Sequence, residues 1–301
     1  SLAAVCASYS IINIFICVAI GGGIGASVIV SRYFGAKNYT KMKLAVYTAF
    51  ISFLIISFLL GGFGLIFSKG IMVLLNTPSD VLDMAVEYLN IYFLGLPFLF
   101  MYNVLSSMFN ALGKSRIPLF FLIFSSVFNI VLDVILVTRF QLGVAGVAWA
   151  TLIAQGISAI LSFFVFMREL KRLDCGNTKA FDFKELSSMA KIALPSILQQ
   201  STVSIGMMLV QSVVNSFGYE ALAGFSAAMR VESICIVPMS GIGNALSSYT
   251  AQNIGANKQD RVTSGYHVAN KMVITCAVII CIILEFFYAP IISFFLGEDG
   301  T

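Results

Sequence analysis

Asp133 is the one ionisable residue in an apolar stretch from Ile117 to Val137. A carboxylate at membrane depth costs at least ~2.5–3.5 kcal/mol on insertion scales, so it calls for a partner, a cavity or a visiting cation. Asn129 precedes it by about one helical turn and shares its face. If the stretch runs outward and ends near Val137, a rise of ~1.5 Å per residue puts Asp133 about 6 Å, and Asn129 about 12 Å, from its outer end. The next stretch starts near Gly143 and returns inward, with Thr151 about 12 Å along it. Carboxylate, amide and hydroxyl oxygens at one depth suit a hard cation such as sodium. The same carboxyl, drawn out of water, can instead carry a proton. The structural alternative is an Asp133 near the outer headgroups that simply reaches water.

Other polar residues in apolar surroundings are less specific. Arg230 and Glu232 fall a third to half of the way through a later stretch, two residues apart and therefore on different faces. Each needs another partner or an aqueous cavity, either lining a substrate cleft and coupling two lobes, or pairing structurally with helices elsewhere. Gln199, Gln200, Gln211 and Asn215 form a polar series, of which Gln200, Gln211 and Asn215 share a helical face. They suit substrate binding, or hydrogen bonding between helices. Pro97, Pro195 and Pro238 lie within or at the entry of spans and can bend them. The glycines between Gly21 and Gly25 follow no strand, so close helix packing is the expectation and a phosphate loop is not. The six cysteines form no CxxC pair, and with His267 as the single histidine no zinc ligand set exists. Most of the cysteines are expected as small buried apolar residues.

The elements that position these groups follow from composition. Of 301 residues, 59% are hydrophobic and 11% charged, and the mean hydropathy is +0.95. Soluble domains carry roughly 25% charged residues, so an ordinary soluble enzyme, a disordered chain and a nucleic-acid binder are excluded. A bilayer crossing takes ~20 apolar residues. Eight such spans are expected, at about 3–34, 44–67, 88–112, 117–137, 143–167, 192–218 (with an amphipathic lead-in from about 186), 221–254 and 272–296. They must be helices, because lipid leaves no partner for an unpaired backbone group and period-2 alternation is absent. Alternate connections are basic: Lys37, Lys41 and Lys43; Lys114 and Arg116; Arg168 to Lys184; Lys258 and Arg261. The positive-inside rule makes these cytoplasmic. The longest connection carries a turn at Asp174–Asn177 and a segment, Phe181–Glu185, able to lie along the interface.

An ungapped shift of 220 residues superposes Leu2-Ala3 on Leu222-Ala223, Gly21 and Gly23 on Gly241 and Gly243, and Gly35-Ala36 on Gly255-Ala256. Ten of the first 36 positions are identical, which points to an internal duplication. Both copies start outside and end inside, so the repeat is parallel, about an axis along the membrane normal. The expected organisation is a first lobe at 1–168, a cytoplasmic linker at 169–185 and the start of a second lobe at 186–301. The chain reads as an internal piece holding helices 2 to 9 of twelve.

Gly35-Ala36-Lys37-Asn38, Leu96-Pro97, Ala111-Leu-Gly-Lys-Ser115, Asn129-Ile-Val-Leu-Asp133, Gly143 to Thr151, Leu194-Pro195 and Gln252-Asn-Ile-Gly-Ala256 together resemble the multidrug and toxic compound extrusion (MATE) transporters. The resemblance covers the whole chain. It implies an all-α polytopic bundle of two six-helix lobes about a cleft, monomeric and in the plasma membrane. It implies efflux of organic, often cationic, compounds in exchange for sodium ions or protons, with no cofactor and no covalent catalysis. It also implies that Asn129, Asp133 and Thr151 form the cation site of the first lobe, completed by an aspartate of helix 1. The acidic residue that some members carry in helix 7 is not found here. A lipid-linked sugar flippase of related architecture, and a channel or membrane scaffold, are the alternatives; the flippase should line its cleft with more cations than Arg230, and the channel should show pore rings rather than a two-lobe duplication.

Overall fold

The computed structural model describes residues 2–74, 79–173, 176–215 and 217–296. The described residues form eight long α-helices: α1 Leu2–Gly35, α2 Tyr39–Leu74, α3 Ser79–Ala111, α4 Arg116–Val134, α5 Gly143–Lys171, α6 Phe183–Asn215, α7 Tyr219–Gly255 and α8 Gln259–Leu296. All eight are long and apolar enough to cross a bilayer. Several begin earlier than hydropathy suggests. α3 starts at Ser79, α6 at Phe183 and α8 at Gln259. Hydropathy marks what must sit in hydrocarbon, whereas a helix continues into the aqueous layer as long as its own hydrogen bonds hold. Phe183–Glu185 thus opens α6. Asp174 and Cys175 of the expected turn lie outside the described residues.

Packing divides the chain into two compact units, Ser1–Ser201 and Thr202–Thr301, so the division falls inside α6. The first unit is built around α3. Its residues Ala85, Leu89, Phe93, Leu96, Phe100, Val104 and Met108, spaced by three or four, are all at most 1% exposed, because α3 packs against α1, α2 and α5. Phe166 of α5 meets Phe109 of α3 edge-on at 5.1 Å and Phe50 of α2 at 5.6 Å, the geometry that ring quadrupoles favour. At the basic end Glu169 accepts from both Lys114 and Arg172, tying the α3–α4 turn to the end of α5.

Glycines permit the closest approaches. A Cβ at Gly21 would lie 2.8 Å from the backbone N of Ile197, and one at Gly25 would lie 2.6 Å from the carbonyl O of Met189. These two glycines, one turn apart, let α1 meet the first half of α6 backbone to backbone, while Gly22 faces Phe53 and Gly23 faces Ser107. Pro97 leaves the carbonyl of Phe93, four residues back, without its helical donor, and a Cβ at Gly61 of α2 would lie 3.0 Å from that oxygen. Gly61→Ala is therefore expected to push α2 off α3 and cost about 1 kcal/mol or more, read as a lower unfolding midpoint in detergent; an unchanged midpoint would show that this contact yields freely.

The second unit pairs α7 with α8, and Gly265 of α8 sits directly under the Tyr249 ring of α7. The duplication is visible in backbone detail. α1 and α7 end at Gly35 and Gly255, and α2 and α8 start at Tyr39 and Gln259, all 220 apart. Lys37 and Asn257 both take φ of 55°. Asn38 N–H donates to Tyr33 O and Lys37 N–H to Phe34 O; Lys258 N–H donates to Asn253 O and Asn257 N–H to Ile254 O. This paired closure of the last turn is the Schellman arrangement, and Gly113 with Lys114 repeats it after α3. The three expected prolines, Pro97, Pro195 and Pro238, all lie inside helices, and α8 also contains Pro290, three residues after Phe287, whose φ of −120° and ψ of 17° break the helical run.

The expectation of buried cysteines holds in part. Cys17 is buried, but Cys235 and Cys276 are half-buried and Cys281 is exposed, on helices whose outward faces are apolar. A thiol is small and apolar enough to face lipid as readily as a core. The side chain of Cys6 lies outside the described residues.

Candidate functional site

The local folding that presents Asp133 begins with α4, an apolar helix whose neighbours bury little of it beyond Pro118 and Phe121. Immediately after Val134 the hydrogen bonding widens into a π-helical turn, Ile135–Arg139. Phe140 N–H donates back to Ile135 O, and Thr138 Oγ1 donates to Val134 O. Such turns insert an extra residue into a helix and recur at functional sites. Gln141 and Gly143, both with positive φ, then reverse the chain into α5. A Cβ at Gly146 would lie 3.3 Å from the Cβ of Leu136, so α5 leaves close beside the widened turn.

That reversal brings two of the three expected residues into contact. Asn129 Nδ2 donates to Thr151 Oγ1 at 3.4 Å, and Thr151 Oγ1 donates to Val147 O at 3.0 Å. All three of Asn129, Asp133 and Thr151 are half-buried. The Asp133 Oδ1 atom is buried and, among the described residues, has no hydrogen-bond partner. Because the Asn129 amide N–H faces the hydroxyl, its carbonyl oxygen remains an acceptor on the face shared with Asp133. The group therefore offers oxygens of three kinds, one of them a carboxylate oxygen with no hydrogen-bond partner.

Further polar side chains of α3 and α5 adjoin this group. Tyr88 lies within electrostatic reach of Asp133. Tyr88, Tyr92, Thr151 and Gln155 line a cavity between α3 and α5 closed by Ala148 and Leu152. Its volume of about 10 Å³ is near the lower limit for a single water. The hydroxyl of Tyr92 and the side-chain Oδ1 of Asn90, both on α3, are buried and have no hydrogen-bond partner among the described residues. Sequence reading passed over these residues, although the signal was there: Tyr88 with Tyr92, and Thr151 with Gln155, are each four apart and so share a helical face.

The remaining candidates lie on α6 and α7. Gln200 is half-buried in the first unit's part of α6, and Gln199 is next to it. Gln211 is half-buried and engaged with neighbours. The side chain of Asn215 lies outside the described residues. Arg230 and Glu232 are exposed on α7 in the second unit, and among the described residues neither forms an ion pair. Among the described residues no three His, Cys, Asp or Glu side chains cluster as metal ligands.

Known proteins share this arrangement of helices. The MatE family model matches residues 1–135 and 195–300. A probable multidrug resistance protein of Bacillus subtilis, YpnP, is 36% identical over 202 residues, covering 67% of this chain and 45% of its own length. Another from the same organism, YoeA, is 30% identical over 310 residues, covering all of this chain and 67% of its own. The chain thus spans about half to two thirds of the length of the relatives it matches. A MATE crystal structure in the bent conformation superposes with a TM-score of 0.90 at 23% identity, over 99% of this chain and 68% of that one, which establishes the common fold.

Proposed function

The chain belongs to the MatE family of membrane transporters, and on that premise we propose that the protein exports organic, often cationic, compounds in exchange for sodium ions or protons. Nothing is transformed covalently; the work is binding and alternating access. The observation that carries this reading is Asp133, half-buried, with a buried oxygen that lacks a hydrogen-bond partner, one turn from an Asn129 that is joined to Thr151. An anion kept in that setting gains only when something positive arrives. Sodium would be held by the carboxylate of Asp133 with the amide oxygen of Asn129 and the hydroxyl oxygen of Thr151; a proton would reside on Asp133 itself. The names of YpnP and YoeA support the efflux direction.

In this reading the protein is a monomer in the plasma membrane, with the basic loops in the cytoplasm. The two copies of the repeat mark two lobes, 1–168 and 186–301, joined by the linker 169–185. Arg230, Glu232, Gln200, Gln211 and Asn215 face the substrate path. Reconstitution decides the matter. Proteoliposomes containing the full-length protein and a fluorescent organic cation are given either a sodium gradient or a pH gradient. Release driven by one gradient and abolished when it collapses supports exchange with that ion. Release indifferent to both removes the proposal.

A further inference from the structure

Away from the Asp133 group, α2, α3 and α5 enclose an elongated cavity of 710 Å³ on the outer face of the first unit. Its walls are hydrocarbon: Ile51, Leu54, Phe58, Leu94, Ile160 and Phe164 among them, with Phe58 and Phe164 62% and 66% exposed. From Tyr47 to Phe58 it follows eleven residues of α2, about 16 Å at 1.5 Å per residue. Half of a ~30 Å hydrocarbon core is about 15 Å. The groove is therefore as long as one leaflet is thick.

The groove does not end in apolar surface. Through Tyr47 and Met167 it continues into a second cavity of 240 Å³, lined by Lys43, Lys171 and Gly176. This cavity lies at the end of the bundle that carries the basic loops. Lys43 Nζ donates to Gly176 O at 3.2 Å and stands 5.8 Å over the Tyr47 ring. Neither Lys43 nor Lys171 is paired with a carboxylate among the described residues; Asp174 lies outside them. Glu169, two residues from Lys171, is already shared by Lys114 and Arg172. Two lysines with no carboxylate partner among the described residues thus crown a leaflet-deep apolar slot.

We infer that this slot is a binding site for an anionic glycerophospholipid of the leaflet on the basic side, with its acyl chain between α2, α3 and α5 and its phosphate between Lys43 and Lys171. Apolar walls alone would accept any lipid tail. The two ammonium groups select the head, as basic pockets between transmembrane helices do at a leaflet surface. Such a lipid would brace the 172–182 connection against α2, which Asp182 N–H already touches by donating to Thr48 Oγ1 at 3.1 Å. The inference is independent of what the protein transports.

The test is lipid competition on the full-length protein in nanodiscs of phosphatidylcholine doped with phosphatidylglycerol, followed by native mass spectrometry. Wild type should retain phosphatidylglycerol in preference to phosphatidylcholine. The double variant Lys43→Gln, Lys171→Gln should lose that preference by about thirtyfold, at ~1 kcal/mol per lysine, while Lys258→Gln with Arg261→Gln, an equal loss of charge at the start of α8, should keep it. Ile160→Trp, which fills the groove and leaves both lysines in place, should also release the lipid. Equal loss in both double variants would reduce the effect to general surface charge and overturn the site. So would retention in Lys43→Gln, Lys171→Gln, or displacement of the lipid by a transported organic cation.

Discussion

Replacement of Asp133 by Asn is expected to stop ion-driven efflux while leaving the protein at least as stable as wild type. The amide matches the carboxylate in shape and removes its charge. Since the Oδ1 atom of Asp133 is buried with no hydrogen-bond partner among the described residues, the amide gives up no bond at that atom. Removing an unpaired charge from a membrane segment also lifts a cost of at least ~2.5–3.5 kcal/mol. A residue that only kept the helix in place would give the opposite pattern, with transport following stability. The loss should be on the order of a hundredfold, the upper range for groups that orient a bound ion, in the proteoliposome assay. Asn129→Ala and Thr151→Val should cost less, about tenfold each, because two oxygens remain in either case. Full activity in Asp133→Asn would remove the carboxylate from the mechanism.

The contact between Asn129 and Thr151 was legible because depth along antiparallel helices is arithmetic. Two residues about 12 Å from a shared reversal must be neighbours if both helices are regular and the turn is short, and Asn129 does meet Thr151. The arithmetic fails where a helix is not regular. The π turn at Ile135–Arg139 changes the rise and the phase immediately after Asp133. Nothing in Ile-Leu-Val-Thr-Arg distinguishes it from an ordinary α-helical turn. The tyrosines of α3 were missed for a different reason. Period and composition describe α3 as an apolar span, and only the fold reveals that its Tyr88–Tyr92 face is the one turned toward α5. Likewise the eight spans and the 220-residue repeat were evident in the sequence. The true starts of α3, α6 and α8 were not, because polar helical ends carry no hydropathy signal. Arg230 and Glu232 show the limit most clearly: charge inside a span says that a partner is required but not where it lies.

The other large effect should come from a single methyl group. Gly25→Ala places a Cβ 2.6 Å from Met189 O and 2.9 Å from Ala193 N. Those are backbone atoms of α6 and cannot rotate away, so the helices must separate. Overpacking of this kind costs about 1–3 kcal/mol, against at most ~1 kcal/mol gained from the better helix propensity of alanine. The net is destabilising, and Gly21→Ala, which meets Ile197 N at 2.8 Å, should add to it. The repeat supplies the control. Gly241 is the counterpart of Gly21, and among the described residues a Cβ there has nothing within 4 Å. With no clash to oppose it, the propensity term decides, and Gly241→Ala should be neutral or slightly stabilising. Thermal unfolding of the three variants in one detergent separates the cases. A lower midpoint for Gly21 and Gly25 beside an unchanged one for Gly241 is expected. Equal losses at all three would mean that the duplicated glycines serve the same packing in both copies. The backbone turn at Lys37 and Asn257 is kept to the same φ, because any chain leaving a helix there must satisfy the same carbonyls.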